Sequence, residues 1–87
     1  MQIHETAIID EGAKIGDGTK IWHFSHIMST SKIGRNVSIG QNCFVGENVE
    51  IGDNVKIQNN VSLYDGAIIK NNVFIRPNRE YPTSNIF

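Results

Sequence analysis

Residues 33–56 read IGRNVS IGQNCF VGENVE IGDNVK, four blocks of six built on one plan. Each block opens with Ile or Val, continues with Gly, carries Asn at its fourth place and has a small or β-branched residue at its fifth. The plan runs outward in both directions. Stepping by six from Ile3 gives Ile9, Ile15, Ile21, Ile27, Ile33, Ile39, Val45, Ile51, Ile57, Leu63, Ile69 and Ile75, an aliphatic series with no exception. The fifth places read Ala7, Ala13, Thr19, Ser25, Ser31, Val37, Cys43, Val49, Val55, Val61, Ala67 and Val73. A period of six fits poorly to an α-helix, which repeats near 3.6. It suits a short strand: side chains alternate, so the fifth residue of one hexad and the first of the next share a face.

The fourth place turns the chain. It holds Gly12, Gly18, Asn36, Asn42, Asn48, Asn54, Asn60, Gly66, Asn72 and Asn78, with Thr6, Phe24 and Thr30 departing. Gly and Asn enter the left-handed backbone region at low cost. Three such bends close a triangular coil of roughly 18 residues, and equivalent residues then stack about 4.8 Å apart in parallel strands. The expected fold is an all-β parallel β-helix of about four to five coils over residues 1–78, with 79–87 as an irregular tail. Ile3, Ile21, Ile39, Ile57 and Ile75 form one inner ladder, and Ile15, Ile33, Ile51 and Ile69 another. Periodicity leaves the hand of the coil open.

Composition bounds what such a prism can do. The net charge is −1 with the two signs interleaved, and no basic stripe is laid out for a nucleic acid. No apolar run reaches membrane-spanning length and the first residues lack the form of a signal peptide, so the expected compartment is the cytoplasm. The single cysteine, Cys43, falls at an inward place and is read as packing. No cysteine cluster is present, and His23 and His26 lie too close along one turn to join His4 on a metal, so no metal is expected. His4 is left without a role. Lys14 and Lys32 stack as a solvated face, and Asp53, at a corner, is read as solvated and replaceable.

One hexad keeps its inside and changes its outside: IWHFSH, residues 21–26. Ile21 and Ser25 obey the core pattern, whereas Trp22, His23, Phe24 and His26 project from one edge. Adding or subtracting a coil gives the corner column Glu5, His23, Gln41, Asn59, and beside it His4, Trp22, Gly40, Gln58. The outward residues of the following strand are Ile8, His26, Phe44 and Ser62. Apolar side chains facing outward in a column ask for a partner surface. A smooth prism also has no internal cleft. Ile8, Trp22, Phe24 and Phe44 are therefore candidates for a subunit interface that borders a site.

The repeat resembles that of the hexapeptide-repeat acyltransferases, whose fold is the left-handed parallel β-helix. More locally, KIGDGTKIWHFSHIM, IGQNCFVG and VKIQNNVSLYDG followed by NNVFIRP are similar to the bacterial N-acetyltransferases of the WlbB and WbpD type. Those enzymes acetylate the 3-amino group of UDP-linked 2-acetamido-3-amino-2,3-dideoxy-glucuronic acid for surface polysaccharides such as lipopolysaccharide. The resemblance implies a homotrimer with sites between adjacent prisms, acetyl-CoA as co-substrate and a UDP-linked amino sugar as acceptor. Acetyl transfer needs a neutral amine held against the thioester and an acceptor for its proton. His23 or His26 is the candidate base; Gln41, Lys56, Gln58, Asn59 and Asn60 are candidates for holding the sugar nucleotide.

The resemblance ends with the last residues. The family reads VFIGPS and continues, whereas this chain has VFIRPNREYPTSNIF, with Arg76 in place of Gly and Arg79 at a small-residue place. The expectation is a chain cut short at its C-terminus, which assembles and binds sugar weakly but acetylates poorly or not at all. The alternative from another class is a non-catalytic β-helical stub that only oligomerises or binds nucleotide sugar.

Overall fold

The computed structural model describes residues 1–77 and the strand Glu80–Tyr81. Fourteen strands of two residues each, numbered in chain order, fall into three parallel sheets. The first sheet stacks β1 (Gln2–Ile3), β4 (Lys20–Ile21), β7 (Ser38–Ile39), β10 (Lys56–Ile57) and β13 (Phe74–Ile75). The second stacks β2 (Ile8–Ile9), β5 (His26–Ile27), β8 (Phe44–Val45), β11 (Ser62–Leu63) and β14 (Glu80–Tyr81). The third stacks β3 (Lys14–Ile15), β6 (Lys32–Ile33), β9 (Glu50–Ile51) and β12 (Ile68–Ile69). The chain visits the sheets in rotation, so it is an all-β parallel solenoid of triangular coils. Among the described residues no helix is long and apolar enough to cross a membrane.

The pairing register follows the hexad. Ile3, Ile21, Ile39, Ile57 and Ile75 stand opposite one another in turn, as do Ile15, Ile33, Ile51 and Ile69. These ladders and the fifth-place residues form the core, which includes Ile21, Ile27, Ile39, Val45, Ile57, Leu63 and Ile75. Burial fades toward the first coil: Ile3 is exposed, and Ile9 and Ile15 are only half-buried. At the other end the register carries through the second sheet, where Leu63 pairs with Tyr81. Within segment 79–87, Glu80–Tyr81 forms the strand β14. Asn78, Arg79 and the rest of that segment lie outside the described residues.

Every fourth-place residue from Gly12 to Asn72 has a positive φ, including the two that break the Gly/Asn pattern, Phe24 at 60° and Thr30 at 64°. Coil closure overrides local preference there. Three polar residues in the core, Thr19, Ser25 and Ser31, have their hydroxyls paired. Ser25 Oγ donates to the Gly40 carbonyl at 2.6 Å and accepts from the Cys43 amide at 3.0 Å. Thr19 Oγ1 donates to the Gly34 carbonyl and accepts from the Val37 amide, and Ser31 Oγ donates to the Met28 carbonyl. A buried hydroxyl is tolerable when it is hydrogen-bonded.

Candidate active site at one edge of the prism

The edge that carries residues 22–25 lies between β4 of the first sheet and β5 of the second. On the second-sheet side, Ile8, His26, Phe44 and Ser62 stand in register as the outward column. Ile8 is 58% exposed, while Phe44 is half-buried and meets the His26 ring edge-on, with centroids 6.1 Å apart at 80°. His26 Nε2 lies 3.0 Å from Asp10 Oδ1. A carboxylate on one imidazole nitrogen orients the ring and leaves the other nitrogen, Nδ1, to accept a proton. Asp10 went unnoticed in the sequence, although it breaks the Gly that many hexads carry at the second place.

The corner itself joins both remaining histidines. His4 and His23 stack with centroids 3.6 Å apart and planes inclined by 25°. His4 Nδ1 accepts from the Thr6 amide at 3.2 Å and lies 2.9 Å from Thr6 Oγ1, which in turn accepts from the Phe24 amide at 3.0 Å. His4 therefore has a role in building this corner. His23 Nδ1 is buried without a hydrogen-bond partner, the only such side-chain atom among the described residues. The two candidate bases thus differ: His26 is half-exposed and paired with a carboxylate, and His23 is layered against another imidazole. Trp22 and Phe24 are 43% and 63% exposed, and the Phe24 ring lies 6.1 Å from that of His23.

On the first-sheet side a surface groove of about 250 Å³ is lined by Trp22, Ser38, Gly40, Lys56, Gln58 and Asn59. Three of the five sugar-nucleotide candidates, Lys56, Gln58 and Asn59, thus converge; Gln41 and Asn60 do not line it. The amide oxygen of Asn59 is committed to the corner, where it accepts from the Gln41 amide at 2.7 Å, leaving Asn59 Nδ2 as its free donor. Asn60 occupies a positive-φ corner and its amide donates to the Gln41 carbonyl. Cys43 is buried, its thiol 3.0 Å from the Gln58 carbonyl; burial pushes its pKa up and keeps it protonated. Among the described residues no His, Cys, Asp and Glu group could hold a metal ion.

Comparison with known proteins extends this picture. The profile of bacterial transferase hexapeptide (six repeats) matches residues 12–47 and 48–78. No curated protein sequence matches the chain. Among solved structures, a point mutant of perosamine N-acetyltransferase from Caulobacter crescentus, in complex with CoA and GDP-perosamine, superposes with a TM-score of 0.60 at 18% identity. The match covers 97% of this chain and 50% of that one. PerB from the same organism, in complex with CoA and GDP-perosamine, gives a TM-score of 0.35 at 16% identity, with 97% and 51% covered. The likeness is one of fold, and the chain spans about half the length of these proteins. With the repeat matched over most of its length and the solenoid in place, the chain belongs to the bacterial hexapeptide-repeat transferase family, whose fold is the left-handed parallel β-helix.

Proposed function

We propose that the chain serves in acetyl-CoA-dependent N-acetylation of a nucleotide-linked amino sugar, at a seam between copies of the prism. The observation that carries this reading is the Asp10–His26 pair, 3.0 Å apart on an exposed edge of a transferase-family solenoid. Sequence resemblance favours a UDP-linked 3-amino sugar of surface polysaccharide synthesis; the GDP-linked amino sugar in the superposed structure is of the same chemical class. The assembly is a homotrimer whose seam includes Ile8, Trp22, Phe24 and Phe44, and its compartment is the cytoplasm.

Acetyl-CoA supplies the acetyl group as a thioester. What the chain supplies is position and a proton acceptor. As the amine nitrogen bonds to the carbonyl carbon and the carbon–sulfur bond breaks, the nitrogen must shed a proton. His26 takes it, with Asp10 fixing the orientation of the ring. Lys56, Gln58 and Asn59 Nδ2 offer donors to the sugar nucleotide in the groove on the other side of Trp22. With three equivalent copies, each edge faces a neighbour, and water is displaced from the apolar column of Ile8 and Phe44.

Thiol release from acetyl-CoA in the presence of the UDP-linked 3-amino sugar tests the reading, and the ratio between wild type and variants decides it. His26→Gln should lower kcat by about 10²–10⁴ with little change in KM. Asp10→Asn should give a smaller loss of the same kind. Unchanged turnover in His26→Gln overturns the assignment of the base. The absence of both thiol release and sugar-induced heat in an assembled sample overturns the function.

A further inference from the structure

The three faces of the prism differ in what they show to solvent. The outward column of the third sheet runs Lys14, Lys32, Glu50, Ile68, so a carboxylate stands beside its lysines. The second sheet shows Ile8, His26, Phe44 and Ser62. The first sheet shows Gln2, Lys20, Ser38, Lys56 and Phe74, two cations flanking a hydroxyl with no acid in the column. His26–Asp10 is the only ion pair among the described residues, so neither Lys20 nor Lys56 has a carboxylate of those residues within 4.0 Å.

Two surface depressions open on this face, and Trp22 lines both. One, of about 450 Å³, is bounded by Gln2, His4, Lys20 and Trp22. The other is the groove of Ser38, Lys56, Gln58 and Asn59. Trp22, 43% exposed, thus borders both depressions, whose two lysines are spaced two strands apart, about 9.5 Å. Lysine ammoniums recognise phosphate as point charges, a serine hydroxyl between them donates to a bridging or terminal oxygen, and an exposed indole stacks on a flat heterocycle.

We infer that the first-sheet face is a nucleoside diphosphate site in which Lys20, Ser38 and Lys56 hold the diphosphate and Trp22 stacks against the base. The inference rests on the proposed function and adds to it Lys20 and Ser38, which neither motif nor resemblance picks out. The diphosphate can come from the sugar nucleotide or from CoA; both carry a diphosphate linked to a nucleoside. The face adjoins the edge of His26 without including it, so diphosphate and reacting amine can be held by different sides of one corner.

Trp22 is the chain's only tryptophan, so its fluorescence reports on the site directly. Titration with UDP, GDP and CoA at low salt should give saturable quenching that weakens as salt is added. Uridine should quench at least tenfold less effectively than UDP. Lys20→Gln combined with Lys56→Gln, both exposed positions, should weaken the UDP or CoA response at least tenfold with an unchanged circular dichroism spectrum. Ser38→Ala should produce a smaller shift in the same direction. Quenching by UDP alone assigns the site to the acceptor, and quenching by CoA alone to the donor; either supports it. Equal quenching by uridine and UDP, or undiminished affinity in the double lysine variant, overturns it. The two readings separate cleanly: diphosphate binding without thiol release sinks the proposed function and leaves this site standing. Thiol release with UDP and CoA affinities indifferent to both lysines does the reverse.

Discussion

The side-chain oxygen of Asn59 sits in the space that a side chain on Gly40 would fill, one coil and one residue earlier in the chain. The same relationship joins Asp53 to Gly34, Asp65 to Gly46 and Asn71 to Gly52. In each case that oxygen accepts a corner amide of the preceding coil, as Asn59 does from Gln41 at 2.7 Å and Asp53 from Arg35 at 2.8 Å. Second-place glycine and third-place Asn or Asp are therefore one device that clips a coil to the next. Gly40→Ala should cost about 1–3 kcal/mol by overpacking, and Asn59→Ala about 1 kcal/mol through the lost hydrogen bond. The double variant should cost clearly less than their sum, since without the carboxamide an added methyl has room. Denaturant midpoints of the four proteins measure the coupling, and strict additivity would refute the clip.

Much of this was open to reading from the sequence, and the limits are physical. A strictly periodic backbone converts sequence distance into spatial neighbours, so ladders, corners and the column Ile8, His26, Phe44, Ser62 could be written down before any coordinates. Diagonal contacts were harder. The stack of His4 on His23 and the pairing of Asp10 with His26 both cross from one coil to the next at an offset other than 18, which straight column counting misses. Yet their signal was present: His4 and Asp10 each stand at a second place that glycine often fills, and neither has, 19 residues later, the Asn or Asp that covers Gly34, Gly40, Gly46 and Gly52. Phe24 and Thr30 looked like broken corners and are intact ones, because closure of the coil, more than the residue, sets φ.

The ladder and the corner respond differently to substitution. Ile51 is buried, between Ile33 and Ile69 in the third sheet. Ile51→Asp places a carboxylate there with no partner, a cost of several kcal/mol against a total stability of about 5–15 kcal/mol, and the protein should not fold. Asp53, read from sequence as replaceable, holds the Arg35 amide and covers Gly34. Asp53→Ala should fold and lose about 1 kcal/mol. A cooperative unfolding transition in Ile51→Asp would count against the ladder, and a neutral Asp53→Ala against the clip.

Cys43 gives a pH test. Its folded pKa lies above the ordinary thiol value because burial disfavours the thiolate. The unfolded chain therefore releases this proton first as pH rises. The stabilisation is fully present below about 8.5, the ordinary thiol range, and is lost as pH climbs through the folded value. Cys43→Ser retains a group that can donate to the Gln58 carbonyl, much as Ser25 donates to the Gly40 carbonyl one coil earlier. Wild type should lose stability above the thiol range more steeply than Cys43→Ser, and native Cys43 should resist alkylation until denaturant is added. Parallel pH profiles or rapid native alkylation would contradict the burial argument.

Phe24 separates stability of the protomer from assembly. It holds a φ of 60° with its ring 63% exposed, so it carries the strain of a left-handed backbone without burying its side chain in this chain. That conformation costs a non-glycine residue about 1–2 kcal/mol, and less for Asn, which tolerates it in six other corners here. Phe24→Asn should therefore stabilise the isolated protomer by about 1 kcal/mol while removing an aromatic ring from the proposed seam. The two effects separate through protein concentration, because assembly stabilises by mass action. At high dilution the variant should melt above wild type; as concentration rises, wild type should gain Tm faster and the advantage shrink or reverse. Light scattering over the same range should show the variant assembling at higher concentration. A gain in Tm that is the same at every concentration removes Phe24 from the interface. A loss at every dilution means that the corner is satisfied by phenylalanine and that the strain argument fails.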